Sequence, residues 1–233
     1  MTQARATHLR LVQTEPMPLA VRQPRIRFRS VVRLSDGEAF GMHAESDINF
    51  EDTFHPRHLL PNTPLPSPAA WLGDLIERAG RLAQETNQTL RPMSILAPMA
   101  ALADQDAPMA AEAGIARAGL LPQEVRLDFC DASVCALEDL ALDRVDAFRR
   151  RGFRVGLDAR KSWRTPMGAR ARMTFEAVRL DPSRCEALEI PMTRLEVAAA
   201  EGVALIAENA RWRDADQLAE LGISFAVAPR ADG

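Results

Sequence analysis

The chain reads as an α/β protein, a closed (β/α) barrel that opens with an antiparallel hairpin. Three observations carry that reading. Short apolar strand-like runs alternate with helical stretches from Arg25 onward, the pattern of a parallel sheet wrapped by helices. The repeating units are too many and too short for an open doubly wound sheet. Several runs also end in an acidic residue, and in a barrel the C-terminal strand ends converge on one mouth.

Residues 1–24 mix arginine, threonine and glutamine with Pro16, Pro18 and Pro24 and show no period, so they read as a flexible tail ahead of one barrel domain, residues 25–233. The apolar patch His8 to Val12 within the tail reads as incidental local order. RIRFRSVVRL and AFGMHAE flank Asp36-Gly37, a hairpin turn. Asp47 to Pro68 carries Pro56, Pro61, Pro64, Pro66 and Pro68 and is expected to be irregular. Trp71, Leu72, Leu75, Ile76, Ala79, Leu82 and Ala83 then recur at helical spacing.

The expected alternation continues with a strand at Met93 to Leu96, a helix from about Pro108 to Ala118 and a strand at Val125 to Phe129. A helix over Leu137 to Arg151 precedes strands at Phe153 to Asp158 and Ala177 to Asp181. Met192 to Glu201 is read as a helix, Val203 to Glu208 as a strand, Asp214 to Leu221 as a helix and Ile223 to Ala228 as the last strand.

Composition narrows the function classes. The 233 residues are 47% apolar and carry 29 basic against 32 acidic side chains, enough for one substantial core and without the basic excess that nucleic-acid binding needs. No run is long enough to span a membrane, and the N-terminus lacks the apolar core of a signal peptide. Cys130, Cys135 and Cys185 are odd in number and unpaired in spacing. They fit a reducing cytoplasm rather than a disulfide or zinc framework, and Cys130 and Cys135 read as small buried apolar groups. Walker A, G-x-S-x-G and H-E-x-x-H patterns are missing from the sequence.

Asp128, Asp158, Asp181 and Glu208 end four expected strands. Around one mouth they would suit a hard divalent cation. Each could equally cap the following helix or pair with an arginine, and spacing alone does not choose.

In order along the chain, RSVVRLSDGEAFGMHAE, VRLDFCD, VGLDARKSW, RLDPS, LIAENAR and LAELGISFAVAP resemble the opening hairpin, ELTE, DDFG, KxD, AEGVE and QGY segments of the EAL family of cyclic di-GMP phosphodiesterases. The resemblance covers Arg25 to the C-terminus and implies a modified TIM-type (β/α) barrel. It also implies lost chemistry. The glutamate that names the family falls at His43, and its following arginine falls at Asp47. The asparagine of the family's NxS strand falls at Ile95. Asp128, Asp158, Asp181 and Glu208 keep acidic positions, but Ala159 replaces the second aspartate of DDFG, Arg179 replaces the lysine of KxD, and Asn209 and Arg211 replace residues of AEGVE. The family's glutamines of the first and last strands fall at Arg29 and Val227.

The resemblance therefore implies a vestigial pocket of His43, Asp128, Asp158, Arg179, Asp181 and Glu208, without cofactor or metal and without phosphodiester hydrolysis. The leading expectation is a catalytically inactive EAL-like regulator in bacterial signalling that acts on a protein partner. The alternative is a cyclic di-GMP receptor that does not hydrolyse its ligand. Arg29, Arg160 and Trp163 are the expected ligand or partner contacts, with Arg29, Arg160 and Arg179 facing the mouth. Trp163, flanked by Arg160, Lys161 and Arg164, reads either as an interface residue or as one packed inward. Trp212 is expected near the mouth, and the family implies a homodimer. A metal enzyme built on His43, His55 and His58 has little support, since HPRH lies in the proline-rich stretch.

Overall fold

A computed structural model of the chain describes residues 24–51, 66–186, 192–208 and 210–228. The tail up to residue 23 with its His8–Val12 patch, the His55 and His58 pair, and Asn209 lie outside the described residues, as do the side chains of Cys185 and Trp212.

Eight strands close into a barrel in chain order: β1 (Ile26–Arg33), β2 (Ala39–Ser46), β3 (Met93–Leu96), β4 (Val125–Cys130), β5 (Arg154–Asp158), β6 (Ala177–Leu180), β7 (Ala204–Ala207) and β8 (Phe225–Val227). β1 is antiparallel to both of its neighbours, β2 and β8, and every other pairing is parallel. The expected hairpin is present. Its turn is held by Glu38 N–H donating to Asp36 Oδ1 at 2.9 Å, and Gly37 takes φ +73°, which a residue without Cβ adopts freely.

The described helices are α1 (Pro68–Glu85), α2 (Ala107–Arg117), α3 (Asp131–Leu137), α4 (Asp139–Arg149), α5 (Ala169–Thr174), α6 (Pro182–Glu186), α7 (Met192–Ala200) and α8 (Ala215–Glu220). α1 starts where Ser67 Oγ accepts from Ala70 N–H at 3.1 Å, with Pro68 just inside. Trp71, Leu72, Leu75, Ile76, Ala79 and Ala83 are buried on one face, as the spacing predicts.

The helix expected over Leu137 to Arg151 is present as α4, and a short helix that the sequence did not signal, α3, precedes it. Glu138, at φ +47°, separates the two. α4 buries Ala141, Val145 and Phe148, at i, i+4 and i+7. α3, α5 and α6 leave no mark in the sequence pattern because five to seven residues are too few to show a helical period.

The core has two parts. An outer layer packs the strands against the helices and includes Ile95, Leu127, Val155 and Val178 against Leu72, Ile76 and Phe148. A small inner cluster, Val31, Ala177, Ile206 and Val227, plugs the barrel at the end away from the mouth. Side chains alternate along a strand, so the inward residues one step above this plug are Arg29, Arg179 and Glu208. α1 and α2 meet through glycines: a Cβ on Gly114 would lie 2.9 Å from the Gly73 carbonyl carbon and closer still to its oxygen.

Candidate functional site

Above the apolar plug the barrel is filled by ion pairs. Arg126 and Asp128, two apart on β4, face inward together, and Arg126 Nε donates to Asp128 Oδ1 at 2.8 Å. Room for this pair comes from Gly156 on β5, where any Cβ would collide with the Asp128 carboxylate. Arg179 Nη2 donates to Glu208 Oε2 at 2.6 Å, and its Nη1 reaches Asp128 Oδ2 at 3.4 Å. Arg29 closes the chain of charges by pairing with Glu208 and donating Nε to the Ala228 carbonyl at 2.8 Å. Arg160 holds Asp158 with two bonds, Nε and Nη2 each at 2.8 Å.

Four guanidinium groups, Arg29, Arg126, Arg160 and Arg179, thus share three carboxylates, Asp128, Asp158 and Glu208. Burial pushes the Asp158 and Glu208 carboxyls up, but their arginines outweigh it and hold both below the ordinary carboxylate range. For Arg160 burial works to lower the pKa, and the bond to Asp158 with the surrounding carboxylates reverses this and raises it.

His43 is buried among these cations at 3% exposure. His43 Nδ1 lies 3.1 Å from Ser94 Oγ, which donates to the Met42 carbonyl at 3.3 Å. Arg179 Nη1 lies 3.1 Å from Nδ1 and 3.2 Å from Nε2. A guanidinium only donates, so the ring has to offer it a lone pair, which a neutral imidazole has and an imidazolium lacks. Burial, and then the charges of Arg179, Arg160, Arg126 and Arg29, push its pKa well below 6.5.

The unfolded chain therefore takes up a proton below pH 6.5 that the folded protein refuses. Stability is full above pH 6.5 and is lost as the pH falls toward the folded pKa, with a slope of at most about 1.4 kcal/mol per pH unit from this group. His43→Gln, which can still bond Ser94, is expected to flatten urea-denaturation stability between pH 6.5 and 5. An unchanged slope would assign the loss to other groups.

Over the ion pairs opens a cavity of about 700 Å³ whose lining includes Arg29, His43, Leu96, Asp158, Asp181 and Glu208. Asp181 caps α6, accepting from Ser183 N at 3.1 Å and Ser183 Oγ at 2.7 Å. So Asp128, Asp158 and Glu208 take arginine partners and Asp181 a helix cap, the second of the two arrangements that spacing left open.

Several sequence expectations are corrected. Arg179 does not face the mouth: it is 1% exposed and lies beneath the cavity floor with Asp128 and Arg126. Trp163 is no surface contact. It is 1% exposed within the core, because buried Asp131 accepts from Ser162 Oγ at 3.0 Å, Arg164 N at 2.8 Å and Thr165 N at 2.8 Å and folds the loop after β5 down over the barrel. The mouth-facing residue of β3 is Leu96 rather than Ile95, whose side chain belongs to the outer core. Cys130 and Cys135 are half-buried, and Cys130 lines the cavity. Arg126 and Asp131 were not singled out from sequence.

These donors do not fit a divalent metal. Asp128, Asp158 and Glu208 are taken up by guanidinium groups, and Leu96 offers no oxygen. Among the described residues no group of three or more His, Cys, Asp and Glu side chains is arranged to hold a metal ion.

Three solved structures with the same architecture are remote in sequence. Klebsiella pneumoniae BlrP1, as a calcium and cyclic di-GMP complex, matches with a TM-score of 0.67 at 15% identity, over 92% of this chain and 56% of that one. The PaMucR phosphodiesterase with cyclic di-GMP gives 0.66 at 15%, over 89% and 90%. The FimX EAL domain gives 0.64 at 13%, over 88% of each chain.

The fold is that of an EAL domain. Within this EAL fold, the hairpin opening and the cavity at the strand ends sit where the sequence order places them. No protein-family model matches the sequence, and no curated protein matches it. The chain spans little more than half the length of BlrP1. Among the described residues no helix of this EAL fold is long and apolar enough to cross a membrane.

Proposed function

We propose that this chain is a non-hydrolytic EAL-type regulatory protein of the cytoplasm, working in bacterial cyclic di-GMP signalling through a protein partner. The observation that carries it is the arginine pairing of Asp128, Asp158 and Glu208. Two-metal phosphodiester hydrolysis needs cations that activate a water and clamp the in-line transition state. A guanidinium offers only N–H donors and has no vacant coordination position for a water.

The test is incubation of the purified protein with cyclic di-GMP and magnesium or manganese, followed by chromatography. Unchanged nucleotide is the expected result, and a ring-opened product would overturn the reading.

One observation favours a second reading, a receptor that keeps cyclic di-GMP intact: Arg29 and Arg160 line the large mouth cavity, and guanidinium groups suit phosphates and guanine faces. Calorimetric titration that shows binding equally with and without magnesium would support it.

A further inference from the structure

The closed barrel keeps one short stretch of unpaired strand edge. β1 pairs with β2 over Ile26–Val32 but with β8 only over Val31–Arg33. Alternate residues of a strand turn their main-chain groups to opposite neighbours. Asp47 N donates to the Arg25 carbonyl at 3.0 Å on the β2 side, and Ala228 N donates to the Ser30 carbonyl at 2.8 Å on the β8 side. By that alternation Arg25, Arg27 and Arg29 face β2, whereas Ile26, Phe28 and Ser30 face the line of β8. The N–H and C=O groups of Ile26 and Phe28 have no partner on that line among the described residues, and both side chains are half-buried against the outer core.

An unpaired edge of this kind is filled by an extended segment. The tail could supply His8–Val12, but the register that sets Leu9 and Leu11 against Phe28 and Ile26 also sets Arg10 against Arg27. A second copy of β1, paired about a two-fold axis, would set Arg27 against its own counterpart. Like charges directly opposite work against pairing.

The chain that follows β8 has neither fault. Val227 pairs with Val31, so counting on sets Arg230 against Phe28 and Asp232 against Ile26, with Pro229 and Ala231 against Arg29 and Arg27. A strand there would turn the main chain of residue 229 away from β1, so the N–H that proline lacks costs no rung. A guanidinium opposite a phenylalanine ring is a favourable cross-strand pair. The starting point is also held in place: Arg29 of β1 donates Nε and Nη2 to the Ala228 carbonyl at 2.8 and 2.7 Å, fixing the end of β8 against β1.

We propose that residues 229–232 run on from β8 as a strap along the upper half of β1, Arg230 pairing with Phe28 and Asp232 with Ile26, and that this strap walls the mouth cavity beside Arg29. Pro229 and Ala231 then turn inward over Arg29 and keep water from its ion pair with Glu208.

The test is amide hydrogen exchange of the full chain, read residue by residue by NMR. The Ile26 and Phe28 amides are expected to exchange as slowly as those of Arg27 and Arg29, which β2 holds. Arg230→Pro removes an N–H that faces β1 and should speed the Ile26 and Phe28 amides about tenfold or more, while Arg27 and Arg29 stay slow. Ala231→Pro removes an N–H that faces away and should leave all four slow. Both substitutions lie beyond the described core, so both variants should melt like the parent.

Ile26 and Phe28 amides that exchange in the parent like those of an unfolded chain overturn the proposal. Protection that survives Arg230→Pro also overturns it, and two further samples then name the occupant: loss in Leu9→Pro assigns the edge to the tail, and loss on dilution of the parent assigns it to a second copy. None of these results depends on whether the cavity turns over cyclic di-GMP.

Discussion

Glu208→Gln should lower the stability of this protein by about 3 kcal/mol, a drop of about 10 °C in melting temperature for a chain of this size. The change is isosteric and opens no cavity, so the loss comes from charge. Glu208 is the carboxylate that Arg29 and Arg179 share, and without it four guanidinium groups, those of Arg126 and Arg179 fully buried, face two acids. The sign of the effect discriminates. In a mouth whose carboxylates crowd one another without cations, neutralising one would relieve repulsion and stabilise the fold. Arg179→Met should cost less than Glu208→Gln, because Glu208 keeps Arg29, Asp128 keeps Arg126 and the cluster becomes neutral. Urea denaturation of the two variants checks both the sign and the order, and a stabilised Glu208→Gln would remove the ion-pair account of the site.

Gly114→Ala should destabilise by about 2 kcal/mol or more, against the direction that helix propensity sets. Alanine in the interior of α2 would by itself gain about 1 kcal/mol. The new Cβ, however, would sit 3.0 Å from Gly73 Cα and closer to the Gly73 carbonyl, and that is backbone, which no rotamer can clear. α1 and α2 must move apart. Because α1 carries Trp71 and Leu75 to the cavity, the same change should loosen the apolar wall of the mouth. Gly73→Ala, whose Cβ would meet the Ala110 carbonyl oxygen at 2.7 Å, should act alike, and the double variant should lose less than the two singles combined. A thermal melt of Gly114→Ala that rises instead of falling would show that the helices tolerate the added methyl.

The strand pattern was legible because β5, β6 and β7 are short apolar runs that end at or just before Asp158, Asp181 and Glu208, and the hairpin because Asp36-Gly37 is a turn pair. What failed was local. Ile95 points into the outer core and its neighbour Leu96 faces the mouth, and one step along a strand is enough to exchange the barrel interior for the outer core.

The ion pairs were half visible. Arg126-Leu-Asp128, Asp158-Ala-Arg160 and Arg179-Leu-Asp181 each set opposite charges two apart, on one face of a strand or its extension. The first two pair as that spacing allows, whereas Arg179 reaches across the barrel to Glu208 and Asp128. No local pattern predicts such a reach.

The reversed first strand has a consequence for anything joined to this barrel. β1 runs from the mouth downward, antiparallel to β2 and β8, so residue 24 stands at the mouth. β8 runs upward, and Ala228 lies there too, its carbonyl held by Arg29 of the cavity lining. A peptide or domain tethered ahead of Pro24 or beyond Ala228 therefore begins on the same face as the cavity. A short flexible tether of this kind presents its cargo to a site at an effective concentration on the order of millimolar, so even a weak binder attached at either point would hold the mouth largely filled.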